Sequence, residues 1–73
     1  LGADVNKARN DGATPLYIAA ETGNRGMVRE LIDAGADVDK ADADGMTPLY
    51  IAKQKGHNVM VLMLIAEGAN DKI

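Results

Sequence analysis

The sequence contains no cysteine, serine, phenylalanine or tryptophan. Without cysteine the chain forms no disulfide and offers no thiolate to a metal ion or a substrate, and without serine it has no serine nucleophile. A chain without disulfides suits a reducing compartment, which favours an intracellular location, cytoplasmic or nuclear, but leaves the location open. With only two tyrosines as aromatic residues, the core must be built from Leu, Ile, Val, Met and Ala.

Positive charge and long apolar runs are also scarce. Eight Lys and Arg residues stand against eleven Asp and Glu residues, which gives a net charge of −3. This charge has the wrong sign for neutralising phosphates or anionic lipids, so we expect neither nucleic acid nor membrane as a partner. The longest apolar run, 59–66, has eight residues, whereas about 20 are needed to span a bilayer.

An internal repeat is the strongest feature that the sequence does contain. The stretch 14–19, Thr-Pro-Leu-Tyr-Ile-Ala, recurs at 47–52, with an offset of 33 residues and all six identities kept. The same offset relates other pairs of segments: 2–5 to 35–38, 11–12 to 44–45, Gly23 to Gly56, and 27–28 to 60–61. One repeat register therefore accounts for the whole chain.

The repeated Thr-Pro predicts the start of a helix in each repeat. Thr14 and Thr47 are suited to capping a helix N-terminus, and the prolines after them fit the first helical position, where a missing N–H costs nothing. Glycine readily adopts the left-handed conformation that ends a helix, so Gly23 and Gly56 mark the ends. The pattern predicts first helices over about 15–22 and 48–55.

A second helix is predicted after each of these glycines. Apolar residues at 27, 28, 31 and 32 form an amphipathic stripe, and residues 60, 61, 64 and 65 repeat it. Each stripe ends before a glycine, Gly35 or Gly68. The Asp- and Gly-rich segments that connect one repeat to the next are predicted to be long turns.

Two helices and a long turn in 33 residues, with the tetrapeptide Thr-Pro-Leu-Tyr, resemble the ankyrin repeat. The resemblance divides the chain into the tail of one repeat (1–8), a full repeat (9–41) and a second, nearly complete repeat (42–73). It implies an all-α solenoid of stacked helix-turn-helix units joined by β-hairpin-like loops. Because the chain starts at Leu1, inside a repeat and without methionine, we expect a truncated or engineered piece of a longer protein.

Two departures from the family pattern have structural consequences. The family's usual histidine is replaced by Tyr17 and Tyr50, so a phenol or a water molecule must replace the histidine's hydrogen bonds, and the loops are expected to be anchored differently. Gly26, near the start of a second helix, lowers helix propensity by up to about 1 kcal/mol relative to alanine. We therefore expect fraying at that end of the helix.

The sequence offers no candidate catalytic, cofactor or metal site. Spaced aspartates before Gly45 are reminiscent of a calcium loop, but Lys40 and Ile51 would then occupy the first and twelfth positions, where carboxylates are required. His57 has no cysteine or second histidine beside it, so a structural role is favoured. We expect no enzyme activity and no cofactor, since catalytic residues would have to come from outside these 73 residues.

The resemblance also implies a protein-binding surface, formed by the hairpin tips and the exposed side of the first helices. The matching positions in this chain are Arg9, Asn10, Asp11, Ala13, Glu21 and Thr22 in the first repeat, and Ala43, Asp44, Met46, Gln54 and Lys55 in the second. This rim is polar, with Met46 as its one sizeable apolar side chain. The same list would arise from any two ankyrin repeats, so the identity of the protein partner stays open.

The second helix of the second repeat is apolar nearly all round. Where the first repeat has Gly26, Arg29 and Asp33, the second has Val59, Leu62 and Ala66. A terminal repeat of a soluble solenoid should have a polar outer face. Either a downstream segment of a parent protein covers this helix, or the helix is a self-association site formed by Val59, Leu62, Met63 and Ala66. The first function predicted is thus a binding scaffold, and the alternative is a self-assembly module.

Overall fold

In a computed structural model, described here over residues 5–68, the chain forms two helix pairs. The four helices are α1 (Pro15–Thr22), α2 (Arg25–Asp33), α3 (Pro48–Gln54) and α4 (Asn58–Ala66). Helix α1 packs against both α2 and α3, and α3 packs against α4. The prediction of an all-α repeat fold is confirmed.

The first helix of each pair begins where the Thr-Pro sequence predicts. Thr14 Oγ1 accepts a hydrogen bond from the Tyr17 N–H at 3.2 Å, and Thr47 Oγ1 accepts one from the Tyr50 N–H at 3.1 Å. Both threonines are buried, so each cap satisfies an otherwise unpaired helix N–H in a site closed to water. Gly23 then ends α1 in the left-handed region, at φ 77°.

The second helices start by two different devices. Asn24 caps α2, because its Oδ1 accepts from the Met27 N–H at 3.1 Å. Gly26 lies within the first turn of that helix. His57 precedes α4 but makes no capping bond with its side chain, which leaves the imidazole available for a contact between the repeats.

The core lies between the two helix pairs. It contains the buried side chains of Leu16, Tyr17, Ala20, Val28, Leu49, Ile51, Ala52, Met60 and Leu64, with Ala13 and Ala19 beside them. Leu16 and Leu49 occupy equivalent positions and are both buried. The small alanines allow α1 and α3 to approach closely, so each repeat stabilises the other.

The connections between repeats are compact turns. Arg9 N–H donates to Ala13 O at 2.9 Å, and at the equivalent place Asp42 N–H donates to Met46 O at 2.9 Å. These bonds give the loops the hairpin-like form expected, although no β-strand occurs within residues 5–68. In the same part of the chain, no helix is both long and apolar enough to cross a membrane.

Candidate binding surface

Two turns, 9–13 and 42–46, form one edge of the molecule, and aspartate side chains hold both. Asp11 Oδ1 accepts from the Ala13 N–H at 3.0 Å, while Asp11 Oδ2 lies 2.7 Å from Arg9. Asp42 Oδ1 accepts from the N–H groups of Asp44 and Met46, each at 2.9 Å. Short aspartate side chains commonly fold a turn in this way. The hydrogen bond from Arg9, followed by that from the Ala13 N–H, holds the pKa of Asp11 below its ordinary value.

The two turns are also bonded to each other. Ala43 N–H donates to Asp11 O at 3.0 Å. Gly12 lies against this bond with φ 85°, and a Cβ at Gly12 would come within 2.5 Å of the Ala43 nitrogen. Glycine is therefore required at position 12 both for its backbone conformation and for the close approach of the turns.

The phenol of Tyr17, on the first helix, lies near the second turn. The Tyr17 side chain is 6% exposed, and the carboxylate of Asp42, in the second turn, is one of the charges near its phenol. Burial, and then the negative charges of Asp42 and Glu21, raise the pKa of the Tyr17 phenol. The phenol that replaces the family's histidine is thus buried near a carboxylate of the next repeat's turn.

The raised pKa of Tyr17 gives a prediction in alkaline solution. In the Tyr50→Phe variant Tyr17 is the only phenol, and its phenolate absorbance should appear at higher pH in the folded chain than in the urea-unfolded chain. The stability that Tyr17 contributes is present below its unfolded pKa of about 10 and is lost as the pH rises through the folded pKa. Coincident titration midpoints in the two states would contradict this assignment.

His57 links the two helix pairs. Its Nε2 lies 3.1 Å from the main-chain oxygen of Glu21 and donates to that oxygen in the Nε2–H tautomer. The ring also lies against Gly23, where an added Cβ would come within 2.8 Å of it. These contacts give the histidine a structural position. Among residues 5–68, no three His, Asp or Glu side chains are grouped so that they could hold a metal ion.

The structure exposes most of the predicted rim. Arg9, Asn10, Asp11, Thr22, Ala43, Asp44, Gln54 and Lys55 are exposed, and Glu21 is half-buried. Ala13 differs from the prediction, because its side chain is 2% exposed and belongs to the core. Met46 is half-buried and packs against the same core. Both residues support the turns from beneath, and the accessible rim is almost entirely polar.

The four residues predicted for self-association do not share one environment. Val59, Leu62 and Ala66 are exposed, with Leu62 at 67%. Met63 is half-buried and packs against the core, so it is not part of the exposed surface. Tyr50 and Ile65, which sequence reasoning did not include, are exposed as well. Their equivalents Tyr17 and Ile32 have the same residue types, so residue type alone carried no signal of this difference.

The comparisons with known proteins agree with this geometry. A family model described as ankyrin repeats in three copies matches residues 1–73, the whole chain. No curated protein matches the sequence. The Thr-Pro caps, the paired helices and the bonded turns lie where the 33-residue register places them, within the range that the family model covers. The chain belongs to the ankyrin repeat family.

Proposed function

We propose that this chain is a non-enzymatic scaffold that binds a protein partner through its turn tips and the exposed side of α1 and α3. Ankyrin repeats are generally protein-interaction modules, so the family supports the class of function. The chemistry of the chain supports the absence of catalysis, since the sequence has no serine or cysteine and its one histidine contacts the neighbouring repeat.

The rigidity of the two turns is the observation that carries the proposal. The bonds that fix the turns come from the main chain and from the carboxylates of Asp11 and Asp42. Asn10, Ala43 and Asp44 stand at the tips, exposed to solvent. Side chains on a preorganised backbone lose less conformational freedom when they bind, which favours their use as partner contacts.

The charges of the rim limit the kind of partner. Arg9 is paired with Asp11, and the rest of the rim carries one further positive side chain, Lys55, and two further negative ones, Glu21 and Asp44. Charges of both signs are therefore interspersed, and the exposed rim lacks a large apolar side chain. Such a surface fits a polar protein surface recognised by hydrogen bonds, with little electrostatic steering of the encounter.

Rim variants test the scaffold proposal directly. Binders would first be selected from a displayed peptide library on the immobilised chain, and their Kd then measured against Asn10→Ala, Asp44→Ala and Lys55→Ala. We expect at least one rim variant to weaken binding about tenfold or more, as for a contact that anchors an interface. Thermal stability should change by less than about 0.5 kcal/mol, because these positions are exposed.

Glu30 provides the matched control, since it is exposed on α2, away from the turns. Glu30→Ala should leave both Kd and melting temperature unchanged. Binding that is lost in Glu30→Ala and kept in all three rim variants would place the binding surface elsewhere and reject the proposal.

A further inference from the structure

Several residues that are identical in the two repeats differ strongly in exposure. Tyr17 is 6% exposed, but its equivalent Tyr50 is 47% exposed; conversely Met27 is 43% exposed, and its equivalent Met60 is 1% exposed. Identical side chains differ because each repeat has only one neighbour among the described residues. Tyr17 is covered by the second repeat, and Met60 by the first.

This comparison defines two uncovered ends. The trailing face consists of residues more exposed in the second repeat than their equivalents in the first: Tyr50, Val61 and Ile65, with Leu62 beside them. The leading face consists of residues more exposed in the first repeat than their equivalents in the second: Ile18, Met27 and Leu31. Each face is apolar, and each is formed by two helices.

The glycines show the same difference between a covered first repeat and an uncovered second repeat. Gly12 and Gly23 lie against Ala43 and His57 of the second repeat, so that a Cβ at either would clash. Their equivalents, Gly45 and Gly56, have nothing within 4 Å of the same added atom. In the first repeat, this surface contacts the second repeat. The equivalent surface of the second repeat has the same backbone conformation but is open.

We propose that the trailing face of one copy of this chain docks on the leading face of a second copy, head to tail, in the register that joins its own two repeats. The argument is continuity with the internal interface. That interface brings Tyr17, Val28 and Ile32 of the first repeat against the side of the second that carries Ile51, Met60 and Leu64. The junction between copies would bring together six residues of the same identities, because all six positions are identical at the 33-residue offset.

The junction between copies differs from the junction inside the chain at an ion pair, and there both partners change together. Inside the chain, Arg29 pairs with Glu67 at 3.3 Å across the repeats. The equivalent positions between copies are Leu62 and Ala34, so an apolar contact replaces the ion pair and no charge is left without its partner. Leu62, which is unexplained as an isolated exposed residue, then has an apolar neighbour.

The leading face also offers a contact to the phenol of Tyr50. Inside the chain the phenol of Tyr17 lies near Asp42, and the equivalent of Asp42 on the leading face is Arg9, which can donate to the Tyr50 oxygen. A groove of about 390 Å³ lies on that face, with Arg9, Ile18 and Met27 in its wall. The groove offers the side chain of Tyr50 a site next to Arg9 that corresponds to the one Tyr17 occupies next to Asp42.

A contact of this kind joins two different surfaces and continues the stacking of the repeats, so it forms open assemblies whose mean mass should rise continuously with concentration. The test uses two variants that each block one face: Leu62→Glu on the trailing face and Met27→Glu on the leading face. Each substitution alone should lower the association constant at least about tenfold. The loss of a buried apolar side chain, or the burial of an unpaired carboxylate, weakens association by at least that factor. Both should then sediment as the 7.7 kDa monomer.

An equimolar mixture of the two variants is the decisive sample. The intact trailing face of Met27→Glu can still dock on the intact leading face of Leu62→Glu, so the mixture should form a dimer of twice 7.7 kDa and no larger species. Glu30→Ala, at an exposed position on α2 that belongs to neither face, should associate like the parent chain. Circular dichroism on each sample establishes that the variants are helical. If Met27→Glu lowers helicity, Ala34→Arg, a substitution at an exposed position, replaces it as the variant that blocks the leading face.

Cysteine cross-linking tests the register, because the parent chain has no cysteine. When Leu62→Cys and Ala34→Cys chains are mixed and oxidised, the disulfide should form mainly between the two different variants. Preferential Leu62→Cys homodimers would indicate a symmetric dimer and overturn the proposal. The proposal would also be overturned if the parent chain stayed monomeric at every concentration or if the mixture of variants did not dimerise. The trailing face would then be a docking site for a repeat of a different chain.

Discussion

Gly12→Ala is expected to destabilise the folded chain by about 3 kcal/mol, whereas the equivalent change Gly45→Ala should cost about 1 kcal/mol. Both glycines have positive φ, 85° and 83°, so both substitutions place a Cβ in a conformation that side chains avoid. Only at Gly12 does the new atom meet the neighbouring turn, 2.5 Å from the Ala43 nitrogen. That contact is with main chain, which cannot move without breaking the bond from Ala43 to Asp11.

Urea unfolding monitored by helical circular dichroism measures the difference between the two alanine variants. A chain of this size buries a limited core and has little stability to lose, so an excluded osmolyte can be added equally to all samples to keep Gly12→Ala folded. The measurement should be made at concentrations where the parent is monomeric, because association would cover Gly45. Equal losses for the two variants would show that the turns are not held against each other as described.

The local elements could be predicted from sequence because their signals are local. The Thr-Pro pairs and the following glycines placed the first helices at 15–22 and 48–55, and the structure has them at Pro15–Thr22 and Pro48–Gln54. Capping depends on residues within one turn, so Thr14 and Thr47 could be identified without knowledge of the fold.

The surface was less accessible to prediction, because exposure depends on neighbours that are distant in sequence. Tyr17 and Tyr50 lie in the same hexapeptide, yet one is buried and the other exposed. Ala13 was placed on the rim by its position in the repeat, but it lies beneath the turn, in the core. Tyr17 and Asp42 lie near each other across two repeats and at non-equivalent positions, so the 33-residue register alone does not indicate their proximity.

The same dependence on neighbours predicts that equivalent leucines will differ in their contribution to stability. Leu64 is fully buried, and its equivalent Leu31 is half-buried on the leading face. Leu64→Ala leaves a cavity between the repeats and should cost about 2–5 kcal/mol. Leu31→Ala removes the same atoms from a site already open to solvent, so about half that cost is expected.

Urea unfolding of the two leucine variants at low concentration gives this comparison, and equal losses would contradict the assignment of Leu31 to an uncovered end. The comparison also bears on the stacked state. If a second copy covers the leading face, Leu31 gains the burial that Leu64 already has, and Leu31→Ala should become more costly as the concentration rises. Leu64→Ala, buried within one chain, should show no such trend, so the concentration dependence at position 31 separates burial between copies from burial within one copy.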